Sequence, residues 1–171
     1  MERPRIAVVI PAHNAGDTLA GSIQSALSQT DVEVQAVVVD DGSDDATGLV
    51  CLLFSFDPRV TVVTLEGRCG SVAARAAGLA EVDAPWVCFL DADRRLERDA
   101  CLMALRRAAR TGAPLVVPAS LLSPETEGAQ DPCARLFDDP RQHLGLDGVF
   151  CETGLARRAL DRLPAVGPCR A

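Results

Sequence analysis

The stretch 86–94 reads W-V-C-F-L-D-A-D-R, and it decides the fold class. Its apolar run, 87–90, ends in Asp91 and Asp93, two aspartates separated by one residue. Four apolar residues bounded by polar ones indicate a strand that is buried on both faces, as in a parallel sheet between helix layers. Because functional groups of open α/β sheets gather at the carboxyl ends of such strands, the aspartates predict a site at this strand end.

The two aspartates, taken alone, admit two interpretations. Neighbouring carboxylates with no basic residue before Arg94 form a negative patch that is costly unless a cation binds there. Such hard oxygen ligands suit Mg²⁺ or Mn²⁺, which typically use one or two carboxylates together with a substrate phosphate. In the alternative, Asp91 and Asp93 are loop residues that cap a helix beginning near Glu97. The rest of the chain must distinguish a metal site from a helix cap.

Strands and helices alternate along the chain on both sides of this stretch. Apolar and β-branched runs predict strands at 5–11, 32–39, 60–65, 86–90, 115–118 and 149–151. Helical spacing of apolar residues predicts helices at 16–29, 46–56, 70–80, 99–109 and 155–163. The expected N-cap of the second helix is Ser43, Asp44 or Asp45. The alternation predicts an α/β fold with a doubly wound, mostly parallel sheet in three layers.

The segment 120–148 differs from the rest of the chain. It contains three prolines and mixed charges and shows no strong periodicity. These features predict a long, mobile loop of the kind that often covers a site. With 171 residues, the chain is expected to form one domain, 1–171, with a sizeable core.

Composition excludes several classes of function. The net charge of −7 argues against non-specific binding to nucleic acid or to an anionic membrane face. No signal peptide is visible and no stretch is long enough to cross a bilayer, so a cytoplasmic location is expected. The seven cysteines are irregularly spaced and odd in number, which predicts reduced thiols that are mostly buried.

Familiar nucleotide and hydrolase motifs are absent from the sequence. The turn after the first strand reads P-A-H-N-A-G-D and lacks the G-x-G-x-x-G of dinucleotide sites. The chain has no lysine for a Walker motif and no G-x-S-x-G. What remains is a series of acidic and small polar residues after three predicted strands, at 11–14, 40–45 and 91–93. In a parallel sheet these segments lie at one edge, which favours a site over a helix cap.

Several motifs together carry a resemblance to a known family. They are R-I-A-V-V-I-P-A-H-N at 5–14, S-A-L-S-Q-T at 25–30, V-V-V-D-D-G-S-D-D-A-T at 37–47, G-S-V-A-A-R-A-A-G at 70–78 and F-L-D-A-D at 89–93. In this order and spacing the chain resembles glycosyltransferase family 2, closely over 5–122 and loosely over 145–167. The resemblance implies a Rossmann-like GT-A fold that inverts the anomeric centre. It also implies a nucleotide diphosphate sugar as donor, with UDP as the expected nucleotide, an acceptor hydroxyl, and Mn²⁺ or Mg²⁺ on the diphosphate.

The resemblance also assigns site residues by position. Those that would bind the nucleotide are Pro11, Ala12, His13, Asp40, Asp41, Arg75 and Asp91. His13 stands in the base pocket where the family usually has tyrosine; alternatively, it is a loop residue that makes a backbone hydrogen bond. Asp41 would hold the base edge, supported by Asp40. Asp93 would be the direct metal ligand, and Asp91 would position the ribose or belong to the metal shell.

The chain departs from the family pattern at identifiable places. Arg94 stands where a further aspartate is common, Arg98 where proline is usual, and Ala76 where asparagine is common. The acceptor-side base motif is missing, with only Asp147 and Glu152 as nearby substitutes. The alternative expectation is therefore a truncated nucleotide-sugar-binding module that transfers sugar slowly or not at all, or that is completed by a second copy or another chain. A nucleotidyltransferase is less favoured because the first loop lacks a glycine-rich phosphate cradle.

Overall fold

The computed structural model describes residues 5–116 and 149–160, which form an α/β fold. The strands are β1 (Arg5–Ala12), β2 (Glu33–Asp40), β3 (Val60–Thr64), β4 (Trp86–Phe89), β5 (Leu115–Val116) and β6 (Val149–Glu152). The helices are α1 (Leu19–Leu27), α2 (Thr47–Phe54), α3 (Ser71–Ala80), α4 (Ala100–Thr111) and α5 (Thr153–Leu160). The predicted alternation of strands and helices is confirmed over these ranges.

The strands form one mixed sheet in the order β3-β2-β1-β4-β6-β5. Strands β3, β2, β1 and β4 are parallel to one another, whereas β6 runs antiparallel to both of its neighbours. Ala12 pairs with Asp40 across β1 and β2, and Val9 pairs with Phe89 across β1 and β4. This register brings the carboxyl ends of β1, β2 and β4 to the same edge of the sheet.

Helices cover both faces of the sheet and enclose two apolar cores. Side chains alternate along β1, so that Val8 and Ile10 face one core whereas Ala7 and Val9 face the other. The first core contains buried residues of α1, α2 and α4, and the second contains residues of α3 and α5. The prediction of a doubly wound, mostly parallel sheet in three layers is therefore confirmed.

Helix α3 packs unusually close to the sheet at Gly78. A Cβ added at this position would lie 2.5 Å from Val9 Cγ1 and 2.9 Å from Val39 Cγ2, well inside van der Waals contact. The missing side chain therefore sets the height of α3 above β1 and β2. Arg75 precedes Gly78 by one helical turn, so this contact also fixes the height at which Arg75 leaves the helix.

The boundaries of some elements differ from the predictions. β1 extends through Ala12, one residue beyond the predicted strand 5–11, so Ala12 also belongs to the strand and not to the following loop. The expected N-cap was wrong, because Ala46 holds that position before α2. Asp45 still stabilises the first turn, since its Oδ1 accepts the backbone N–H of Thr47 at 2.8 Å. The predicted long loop 120–148 lies outside the described residues.

The cysteine prediction was partly right. Cys51, Cys88, Cys101 and Cys151 are buried thiols, as expected. Burial raises the pKa of the Cys101 thiol to about 12, and burial together with the charge of Asp40 raises that of Cys51 to about 11. The prediction was wrong for Cys69, which is disulfide-bonded. Within the ranges that the structure describes, no helix has the length and apolarity to cross a membrane.

Candidate functional site at the carboxyl edge of the sheet

Three loops meet at the carboxyl edge of the sheet, because β1 lies between β2 and β4. The chain leaving β2 stays beside β1, since the Asp41 N–H donates to the Ala12 carbonyl at 2.8 Å. The chain leaving β4 does the same on the other side, since the Leu90 N–H donates to the Val9 carbonyl at 3.0 Å. The segments after these three strands therefore come together as the sequence predicted.

Asp41 is buried and anchors a fourth loop to this edge. Its Oδ1 accepts the backbone N–H of Cys69 at 2.6 Å, and its Oδ2 accepts that of Gly70 at 2.8 Å. The side chain is only 4% exposed. Each carboxylate oxygen has two lone pairs, so both can still accept one further hydrogen bond. Asp41 thus ties the loop between β3 and α3 to the end of β2 and keeps acceptor capacity at the edge.

A close backbone contact supports this anchor. Gly42 has φ +66°, and a Cβ at this position would lie 2.4 Å from the carbonyl carbon of Gly67. Only glycine satisfies both the positive φ and this approach. Gly42 is therefore required for the loops after β2 and β3 to touch.

The loops after β1 and β2 are joined by several hydrogen bonds. His13 Nδ1 lies 2.9 Å from the Asp41 carbonyl oxygen and donates to it in the matching tautomer. Asn14 bonds in both directions, with its N–H donating to Ser43 Oγ and its Oδ1 accepting the Asp44 N–H, each at 3.0 Å. The backbone hydrogen bond expected as the alternative for His13 is present. His13 remains partly exposed, which leaves part of its ring available at the edge.

Asp40 and Asp45 have structural partners within the same pair of loops. Asp40 is 5% exposed, and its Oδ1 accepts the Ser43 N–H at 3.0 Å. The hydroxyl of Thr47 and the backbone N–H of Gly16 donate to Asp45, and these bonds lower the pKa of its carboxyl group. Both carboxylates are therefore committed to holding the loop in shape.

Arg75, which the resemblance places at the nucleotide, also pairs with Asp91, and sequence analysis did not predict this pair. Its Nη2 lies 2.8 Å from Asp91 Oδ1, and the arginine side chain is 11% exposed. The stretch 86–94 contains no basic residue before Arg94, as noted from the sequence, and Arg75 reaches Asp91 from helix α3. Arg75 Nε is buried without a hydrogen-bond partner among the described residues. The guanidinium therefore has a donor left over beside the carboxyl end of β4.

Asp93 differs from Asp91 in being open to solvent. Its side chain is 67% exposed, and its nearest ion-pair partner is Arg94 Nε at 3.8 Å, beyond hydrogen-bond distance. Among the described residues no group of three or more potential metal-ligating side chains is present. Mg²⁺ and Mn²⁺ commonly bind through one or two carboxylates, with waters and substrate phosphate completing the shell. An accessible Asp93 fits this kind of ligand set.

Polar side chains of α1 hold the segment that carries the D-x-D, and sequence analysis missed them. Ser22 is fully buried, with its Oγ 2.8 Å from the Ala92 carbonyl and 2.5 Å from the Arg94 carbonyl. Ser25 Oγ accepts the Leu96 N–H at 3.1 Å. The signal was available, because polar residues at 22, 25 and 29 form one stripe on a helix whose neighbouring stripe is apolar.

Gln29 completes this stripe at the end of α1. Its Nε2 donates to the Glu97 carbonyl at 2.7 Å, and its Oε1 accepts the Cys101 N–H at 3.0 Å. The amide thus bonds to both ends of the segment that leads from the D-x-D into α4. These contacts, with those of Ser22 and Ser25, position the loop after β4 relative to the loop after β1.

The fold and the site define the class of protein. A three-layer, mostly parallel sheet with acidic loops at the ends of β1, β2 and β4 is the Rossmann-like GT-A arrangement of glycosyltransferases. The sequence profile of Glycosyl transferase family 2 matches residues 7–156. This chain belongs to that family.

Curated relatives agree with this assignment. Succinoglycan biosynthesis protein ExoO of Rhizobium meliloti is 37% identical over 114 residues, which are 67% of this chain and 32% of ExoO. WfgD of Escherichia coli, a UDP-Glc:alpha-D-GlcNAc-diphosphoundecaprenol beta-1,3-glucosyltransferase, is 35% identical over 52% of this chain and 34% of its own length. The chain thus spans about a third of these two relatives.

Solved structures share the fold. S. aureus TarS 1-349 superposes with a TM-score of 0.69 at 19% identity, covering 95% of this chain and 51% of TarS 1-349. The complex of TarS 1-349 with UDP-GlcNAc has a TM-score of 0.68 at 18% identity, covering 90% and 47%. Mannosyltransferase PcManGT of Pyrobaculum calidifontis, in complex with GDP-Man and Mn²⁺, has a TM-score of 0.61 at 24% identity, covering 67% and 35%.

Proposed function

We propose that this chain contains the donor half of a glycosyltransferase, which binds a nucleotide diphosphate sugar for transfer to an acceptor hydroxyl. The observation that carries the proposal is the meeting of Asp41, the Arg75–Asp91 pair and Asp93 at one sheet edge in a chain of family 2. Relatives named as glycosyltransferases, such as WfgD, favour this function over a binding module that transfers nothing. Neighbouring structures hold UDP-GlcNAc or GDP-Man, so the choice of nucleotide needs a direct test.

The proposed nucleotide site follows from the remaining hydrogen-bonding capacity of the edge. Asp41 can accept a hydrogen from the edge of a base through its free lone pairs. His13 can offer the exposed part of its ring to the face of the base, beside Pro11 and Ala12. Arg75 holds Asp91 in place through Nη2, and its buried Nε has no hydrogen-bond partner among the described residues. Asp40 shapes the loop and is expected to support Asp41 rather than to touch the nucleotide.

A divalent cation is proposed to bind at Asp93, with Asp91 near its shell. When bound, such a cation neutralises charge on the leaving diphosphate. Asp93 suits this role because it is accessible, whereas one oxygen of Asp91 is already engaged by Arg75. Ser22 and Ser25 keep the Asp93 loop in position through hydrogen bonds to its backbone.

Transfer also requires a base near the acceptor hydroxyl. Glu152 is paired in register with Trp86, at the end of β4 opposite to Asp91. It therefore lies at the wrong edge of the sheet for this task. Asp147 lies outside the described residues, and its candidacy stays a prediction.

Calorimetry with UDP and with GDP, each with and without Mn²⁺, tests the proposal. We expect one nucleotide to bind with an affinity that rises with Mn²⁺, and we expect Asp93→Ala to abolish this rise. Asp83→Ala is the matched control, because Asp83 is exposed and pairs with Arg5 away from the candidate site. Equal affinity with and without Mn²⁺ would contradict the ligand assignment of Asp93.

The base pocket needs a separate variant. Asp41→Asn replaces one acceptor oxygen by a donor group, so it should weaken nucleotide binding by about 1–3 kcal/mol, the cost of mispairing a buried polar group. Asp44→Asn is the control, since Asp44 is exposed in the same loop. Unchanged affinity in folded Asp41→Asn would place the base elsewhere.

A further inference from the structure

Helix α2 carries an apolar surface that its packing on the sheet does not use. Its outward side chains Leu49, Leu52 and Leu53 are 60%, 58% and 64% exposed, and Phe56, just beyond the helix, is 80% exposed. The leucines follow the i, i+3, i+4 spacing of one helix face. We call these four residues the α2 patch. They are four of the five large exposed apolar side chains in the described part of the chain.

The opposite side of α2 is apolar as well. Thr47 and Cys51 are buried, and Val50 and Phe54 pack against the first core. No residue from Thr47 to Phe54 is charged. A helix that is apolar on all sides is normally buried on all sides, because each exposed leucine forgoes the free energy of leaving water. The sequence of α2 therefore fits a helix that is covered on both faces, whereas residues 5–116 and 149–160 cover only one.

We propose that a second copy of this chain covers the α2 patch, in a two-fold symmetric dimer with α2 against α2. The patch is uncharged, so pairing it with itself brings no like charges together. An anionic membrane is a poorer fit, because interfacial helices carry basic residues beside their apolar face and the net charge here is −7. Antiparallel packing of the two helices also aligns their dipoles favourably.

The area of the patch suits a weak dimer. Aromatic side chains such as that of Phe56 bury on the order of 150–250 Å² when fully covered, and leucine side chains bury less. At the observed exposures, the four side chains present roughly 400–500 Å² per copy, and two copies together approach the ~1,000 Å² at which specific interfaces begin. We therefore expect a dissociation constant in the micromolar range, on the order of 1–100 μM.

Sedimentation velocity of the chain from ~1 to ~500 μM tests the proposal. We expect a monomer–dimer equilibrium, and we expect the double variant Leu52→Glu with Leu53→Glu to raise the dissociation constant at least a hundredfold. Met103→Glu is the matched control, because Met103 on α4 is 55% exposed and lies outside the patch. This control should change the constant by less than threefold. Circular-dichroism melting checks that each variant is folded.

Mixing charge-reversed variants tests the symmetry. Leu52 lies at the middle of the patch. We therefore expect the Leu52→Glu and Leu52→Arg variants each to be monomeric alone and to form a dimer with each other when they are mixed. A chain that stays monomeric up to ~500 μM would overturn the proposal. A dimer that survives the double variant would overturn it too, since another surface would then be used. If the chain is monomeric and binds phosphatidylglycerol vesicles through the patch, the proposal is overturned, because a membrane and not a second copy would then cover the patch.

Discussion

Ser22 offers a sharp test of how the D-x-D loop is held, because one hydroxyl group reaches three backbone carbonyls. The Oγ lies 2.5 Å from the Arg94 carbonyl, 2.8 Å from that of Ala92 and 3.4 Å from that of Asp91. A hydroxyl has one hydrogen and donates to one of them at a time. Ser22→Ala removes this donor from a fully buried position and leaves the carbonyls without it. The variant therefore isolates the contribution of α1 to the loop.

The expected magnitude follows from two opposing effects. A buried acceptor that loses its donor costs about 1–3 kcal/mol. Alanine is a better helix former than serine, so the substitution also stabilises the folded state by roughly 0.5 kcal/mol. We expect the free energy of unfolding to fall by about 1–2 kcal/mol, measured by urea denaturation with an unchanged m-value. Hydrogen exchange of the peptide 91–97 should accelerate more than that of β1.

Ser28→Ala is the control for this experiment. Ser28 lies at the end of the same helix, is exposed, and donates only to the Ser25 carbonyl at 3.3 Å. Its replacement should change the free energy of unfolding by less than about 0.5 kcal/mol. If Ser22→Ala and Ser28→Ala are equally stable, and exchange of 91–97 is unaltered, the hydroxyl does not hold the loop and the reasoning is refuted.

Three further predictions concern packing, acid stability and the opposite edge of the sheet. Gly78→Ala should destabilise the protein by about 1–3 kcal/mol through overpacking, measured by urea denaturation. Gly48→Ala is the control and should be neutral or stabilising in the same assay, because the nearest atom to a Cβ at this position is 3.7 Å away. Equal effects of the two variants would refute the close contact of α3 with the sheet. Hydrogen bonds from Arg59 lower the pKa of Asp57 to about 2, below the value of about 3.9 in the unfolded state. The ionised Asp57 carboxylate therefore stabilises the folded state above about pH 4, and this contribution is lost as the pH falls through 2. Asp57→Asn should therefore flatten the decline in stability between pH 4 and pH 2, and an unchanged decline would count against this ion pair. Glu152→Gln should leave nucleotide affinity and any sugar transfer within twofold, measured by calorimetry and product chromatography, and a large loss of transfer would move the base to β6.

The parallel half of the fold could be predicted because its signals are local. Each buried strand ends abruptly in polar residues, as at Leu90 before Asp91, and each helix follows within a few residues. Since parallel strands deliver their carboxyl ends to one edge, the placement of Asp41 and the D-x-D at the same edge followed from the predicted parallel sheet alone. The resemblance to family 2 then assigned roles to individual residues in these loops.

Other features were out of reach because they depend on contacts between distant residues. The Arg75–Asp91 pair joins a helix to a strand end, and no periodicity specifies which carboxylate an arginine meets. The bonds of Ser22 span about 70 residues. The sequence also did not determine the direction of β6, because a short apolar run looks the same whether the strand pairs in parallel or in antiparallel orientation. That direction is what carries Glu152 away from the site.

Because α3 packs so closely on the sheet, the packing in the protein interior also determines the position of a charged group at the carboxyl edge of the sheet. Gly78 and Arg75 stand one turn apart on the same helix, so a larger residue at 78 would lift the helix and draw the guanidinium away from Asp91. Arg75 would then no longer compensate the negative charge of Asp91, which lies near the proposed cation. Small changes in side-chain volume at a buried position could in this way retune the electrostatic balance of the edge while every residue exposed there stays the same.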